Sequence, residues 1–176
     1  MTLLRPLSRS RRLAFAGLLL TATVCFADVR VWLLVNAERT DSVLSNDRKE
    51  REGLEHGKWR VDGTGNLHLE PGADTVPVHR LFNPAGGRKL EVDPARLKMW
   101  TEQGFVEEGV LGYASAKPGA GLVAVHHLTK NGKDLWLISA ATRAAAVKAG
   151  WKPEPTRFWL WPAEPDSTPA EAGPQG

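Results

Sequence analysis

The strongest constraint on what this chain can fold into is that it copies itself three times. The stretch VWLLVNAERTDSVLSNDRKEREGLEHG from Val31 returns as VHRLFNPAGGRKLEVDPARLKMWTEQG from Val78 and as VHHLTKNGKDLWLISAATRAAAVKAG from Val125, a spacing of 47 residues twice over. A unit of this length is one supersecondary element that cannot bury its apolar face alone, so the copies must pack on one another into a common core. The boundaries fall at 29–70, 75–116 and 122–161.

The second copy gives the pattern of a unit. Thr75–Asn83 alternates as a strand, Asn83 to Gly87 reads as a turn, and Lys89–Val92 reads as a second short strand. Asp93 then offers a carboxylate to the free backbone N–H groups of a helix opening at Pro94, and Gly104 provides the left-handed exit. In the other copies Asn46 and Ser139 take the cap position and Gly57 and Gly150 the exit, each pair eleven residues apart. An aromatic follows each exit (Trp59, Phe105, Trp151), and a closing strand contains Leu67, Tyr113 or Trp159.

Each unit is therefore expected to run strand, strand, helix, strand. Three such units predict an α+β domain closed around a pseudo-threefold axis with its helices outside, because closure removes the exposed end faces of an open array. The alternative is a β-trefoil-like, all-β domain in which the helices are long loops. The alanine, leucine, lysine and arginine content of ATRAAAVKAG and PARLKMWTEQG favours helix, while Gly53 weakens the first helix by roughly 1 kcal/mol relative to alanine.

The ends of the chain read differently. Arg5, Arg9, Arg11 and Arg12 precede the apolar run LAFAGLLLTATV, and the small residues Cys25 and Ala27 flank Phe26, which together describe a secretory signal peptide over 1–27. Its removal would take four arginines and no acid, turning the formal +3 of the 176-residue chain into −1, and would also take the one cysteine. The remaining domain has no basic stripe for a phosphate backbone, which argues against nucleic acid as a partner. It would be held by core packing rather than disulfides, and after cleavage it would carry no membrane segment. An exported location is expected, periplasmic or extracellular. Residues 162–176, rich in proline, alanine, glycine and acids, read as a solvated tail.

The opening Val76-Pro77-Val78-His79-Arg80-Leu81-Phe82-Asn83, the pairs Glu108-Gly109 and Gly112-Tyr113, and the exit Ala149-Gly150-Trp151 resemble a family of short repeats in secreted bacterial proteins, catalogued as a domain of unknown function. The match is good over 76–151 and thin before it. Where that family carries histidine-phenylalanine-tyrosine-threonine, this chain has Arg88-Lys89-Leu90-Glu91 and Asp134-Leu135-Trp136-Leu137. The resemblance implies an envelope or extracellular module, often associated with hydrolases and adhesins, and it implies no assigned activity.

Candidate binding residues are few. His79 and His126 occupy equivalent positions, with Trp32 in the first copy, and a metal centre would need further ligands that the pattern does not supply. The simpler reading is a position that wants a flat ring. Among seven tryptophans, Trp136, Trp159 and Trp161 are candidates for a sugar-stacking surface, with core packing as the competing assignment. Adjacent Glu107 and Glu108 face opposite ways in a strand, Gly86-Gly87 lies in a turn rather than a phosphate loop, and no nucleophile elbow surrounds Ser115 or Ser139. No catalytic residue, cofactor or metal is expected. The expected function is a noncatalytic exported module that binds a glycan or a protein partner in the envelope or outside the cell. The alternatives are a structural or assembly component and, behind it, a small hydrolase.

Overall fold

The computed structural model describes residues 27–85 and 87–164. The signal peptide expected over 1–27 lies outside the described residues except for Ala27, and so does the expected tail beyond 164. In the first unit, β1 (Asp28–Val35) and β2 (Ser42–Ser45) lead into α1 (Arg48–His56) and β3 (Arg60–His68). The second follows the same order with β4 (Thr75–Asn83), β5 (Gly87–Glu91), α2 (Pro94–Glu102) and β6 (Val106–Ser115). In the third, the first strand is broken at Val125 into β7 (Val123–Ala124) and β8 (His126–Lys130). After it come β9 (Lys133–Leu137), α3 (Ala140–Lys148) and the short strands β10 (Lys152–Pro153) and β11 (Trp159–Leu160). The domain is thus α+β, and the three helices among the described residues rule out the all-β alternative. No helix among the described residues is long and apolar enough to cross a membrane.

Within each unit the first strand sits between the other two, all antiparallel: β1 pairs with β2 and β3, β4 with β5 and β6, and β8 with β9 and β10. The register shows how the three sets of strands line up. Trp32, His79 and His126 stand opposite Ser45, Glu91 and Leu137. The first strands therefore recur every 47 residues, but each hairpin is one residue shorter than the one before, so everything from the second strand through the helix recurs every 46.

This shift corrects the expected caps of the first unit. Asp47, not Asn46, accepts from the N–H of Lys49 at the start of α1, just as Asp93 accepts from Ala95 and Ser139 from Thr142. The exit moves with it. Lys58 carries the positive φ of 69°, the part that Gly104 (83°) and Gly150 (88°) play in their units, while Gly57 remains at −77°.

One core collects equivalent positions from all three units, including Val31, Val78 and Val125 and also Leu44, Leu90 and Trp136. The closing strands meet at one end: β6 pairs with β3 through Tyr113 and His68 and with β11 through Ser115 and Trp159, and Asn66 of β3 bridges Trp161. The second strands β2, β5 and β9 come together at the other end. Hydrogen bonds cross each junction. The Trp136 N–H donates to Ser42 Oγ, and the Ile138 and Ser139 N–H groups donate to Asp62 at 2.6 and 2.9 Å. Arg80 donates to the Leu44 carbonyl, and Lys89 donates to Asp134.

Candidate functional site

The second and third units meet where β5 faces β9, and there the apolar character of the second strand fails. Lys89 takes the place held by Val43 in the first unit and Leu135 in the third, and it is only 6% exposed. Glu91 stands where the others have Ser45 and Leu137, and it is 1% exposed. On α2, Trp100 replaces Leu54 and Ala146. Three departures from the pattern of the units thus fall on one junction.

Each buried charge there is matched. Lys89 reaches Asp134, which also accepts from His127 Nε2 at 2.6 Å. The ammonium also lies 4.2 Å from the centre of the Trp100 ring, a cation–π contact. Glu91 accepts from the N–H groups of Val92 and Asp93, from Arg96 Nε at 3.0 Å, from Arg157 Nη1 at 2.8 Å and from Trp100 Nε1 at 3.2 Å. Burial pushes the Asp134 carboxyl up, but the hydrogen bonds and charges of His127 and Lys89 outweigh it and hold the group below its ordinary range.

In front of these groups lies an open cleft of about 250 Å3 walled by Trp100, Arg96, Arg157, Lys133, Asp134 and Glu154. This is a little below the ~300–1,000 Å3 usual for small-molecule sites and is enough for a single ring. Behind it His127 stacks on Trp136 at 4.1 Å, and neither His127 Nδ1 nor Trp136 Nε1 has a hydrogen-bond partner among the described residues.

The wall Gly132-Lys133-Asp134 is shared with a second opening of about 330 Å3, where the three hairpin turns converge and Asp41 and Arg88 line the other side. Burial pushes the Asp41 carboxyl up, against the Ser42 N–H and the charges of Arg88 and Lys133.

The residues singled out in the sequence lie elsewhere. Trp136 is 3% exposed, with His127 on one face and Phe158 close by, so it belongs to the core and offers no platform. Trp161 is half-buried with its ring 3.6 Å from that of His68, and Trp159 is half-buried in β11. His79 pairs with Glu107 at 2.6 Å, whereas His126 feels Arg143 and Asp62. The two histidines do not meet, and no group of three metal-ligating side chains exists among the described residues. Trp100 and Lys89 were not among the candidate binding residues, although Arg88-Lys89-Leu90-Glu91 stands out in the sequence as a departure from the family pattern. The signal that could have found them is the break in equivalence after the 46-residue register is applied.

His126 makes a test of its own. Burial, followed by the charge of Arg143, pushes its imidazole below 6.5, and Asp62 opposes this only in part. A depressed histidine pKa means that the unfolded chain takes up the proton first, so the stability this group contributes is fully present above about pH 6.5 and falls as the pH drops through that value. The melting temperature is expected to fall between pH 7.5 and 5.5, and to fall less in His126→Gln. Identical pH profiles for the two proteins would remove His126 from the account.

The family profile described as a domain of unknown function, DUF5648, matches residues 29–161, and the chain belongs to that family. No curated protein and no solved structure matches it.

Proposed function

We propose that this member of the DUF5648 family is a noncatalytic exported module, periplasmic or extracellular, which uses the cleft between its second and third units to bind a glycan or a partner in the envelope. The reading includes closure of three repeats about a pseudo-threefold axis. Its support is the meeting of β3, β6 and β11 at one end and of β2, β5 and β9 at the other.

The observation that carries the binding reading is the set of substitutions at that junction. Stability alone would favour leucine or valine at position 89, as at Val43 and Leu135, since a buried ion pair is often no more stable than well-packed apolar residues. Lysine, glutamate and tryptophan gathered at one junction, beside an open cleft, fit a demand other than packing. A half-buried tryptophan beside convergent polar groups is suited to a sugar ring, whose apolar face can lie on the indole.

A second reading, as a small hydrolase, draws on one specific observation. Asp41, with its carboxyl pushed up, and Asp134, with its carboxyl held down, line the same opening, and such divergence is how acid and base roles are divided.

Titration of the protein with peptidoglycan fragments and bacterial glycans, followed by tryptophan fluorescence, tests the first reading. A saturable shift lost in Trp100→Ala and kept in Trp159→Ala is expected. New reducing ends in the recovered ligand would favour the hydrolase, and a folded protein with no response to any glycan would turn the reading toward protein partners.

A further inference from the structure

We infer that the ligand of this cleft is a carboxylate-bearing sugar, an inference that rests on the binding reading above and narrows it to a chemical class. The argument concerns which groups in the cleft are already satisfied. Asp134 is held by Lys89 and His127, and Glu91 by two arginines, an indole and two backbone N–H groups, so the buried acids ask for nothing more. Glu154 at the rim accepts from the Thr129 hydroxyl at 3.0 Å.

The cations are not spent to the same degree. Arg96 gives Glu91 its Nε and Arg157 gives it Nη1, each one of five N–H donors, and both side chains line the cleft. Lys133, exposed on the shared wall, has no ion-pair partner among the described residues. Four cations (Lys89, Arg96, Lys133, Arg157) stand against three carboxylates (Glu91, Asp134, Glu154), an excess of one positive charge.

The wall is therefore complementary to a single negative charge carried on a ring. Guanidinium N–H groups in a fork match a planar carboxylate, and half-buried Trp100 supplies the surface on which the ring rests. A phosphate monoester would bring nearly two negative charges beside Asp134 and Glu154, which the excess does not balance.

Two matched pairs of sugars isolate the carboxylate. Glucuronic acid against glucose, and N-acetylmuramic acid against N-acetylglucosamine, titrated calorimetrically into the full protein at low salt, are expected to differ by about tenfold or more in favour of the acid. That preference should shrink at 0.5 M NaCl. Lys133→Gln, at an exposed position of β9, is expected to reduce the preference severalfold, and Arg157→Gln should reduce it further. Equal affinity for acid and neutral sugars would overturn the inference and leave the cleft as a glycan site. Absence of binding by all four sugars, with Trp100→Ala indistinguishable from the parent protein, would overturn both.

Discussion

Truncation of Glu91 to alanine is expected to lower the unfolding free energy by about 3 kcal/mol, read from urea denaturation at pH 7. This carboxylate is buried at 1% exposure and satisfies Arg96, Arg157, the Trp100 indole and two backbone N–H groups at the start of α2. Removing one member of a buried ionic cluster leaves the others without compensation, at a cost of about 3–5 kcal/mol. The lower end applies here because the Arg96 and Arg157 side chains keep 37% and 24% of their surface in water. Arg157→Gln, which leaves the carboxylate with Arg96, the indole and the backbone, should cost less than half as much. A loss below about 1 kcal/mol in Glu91→Ala would mean that the cluster does not hold the second and third units together.

Gly112→Ala is expected to be as damaging, for steric reasons. Its φ is +149°, and a Cβ built there would lie 2.8 Å from Leu67 Cβ and 2.9 Å from the His68 carbonyl oxygen, where β6 crosses β3. Neither neighbour can withdraw easily. The His68 oxygen is backbone, and Leu67 is fully buried. Overpacking costs about 1–3 kcal/mol and the disfavoured dihedral about 1–2 more. Gly53→Ala is the control, since that position in α1 has nothing within 4 Å and the change should stabilise by about 0.5–1 kcal/mol. If Gly112→Ala melts with the parent protein, the close approach of the closing strands is wrong.

These two positions also divide what could be read in the chain from what could not. The cap at Asp93, the left-handed exits at Gly104 and Gly150, and the order strand, strand, helix, strand follow from local chemistry. Fixed φ preferences and short-range hydrogen bonds act within a dozen residues, and the sequence displays them directly. The first unit was read one residue out, at Asn46 and Gly57 instead of Asp47 and Lys58, because the hairpins shorten by one residue each time and only strand pairing reveals it.

The candidate site was not legible for a related reason. Trp136 and Trp100 are both tryptophans in a repeating chain, and nothing local distinguishes the one sealed behind His127 from the one facing the cleft. That difference arises from which units touch. Lys89 finds its acid 45 residues away and Glu91 finds Arg157 at a distance of 66. The sequence by itself determined the order strand, strand, helix, strand, the caps and exits of the second and third helices and the α+β class, since those are set by short-range interactions. Only the tertiary structure decided which junction became polar and open, because burial and charge compensation belong to contacts between copies.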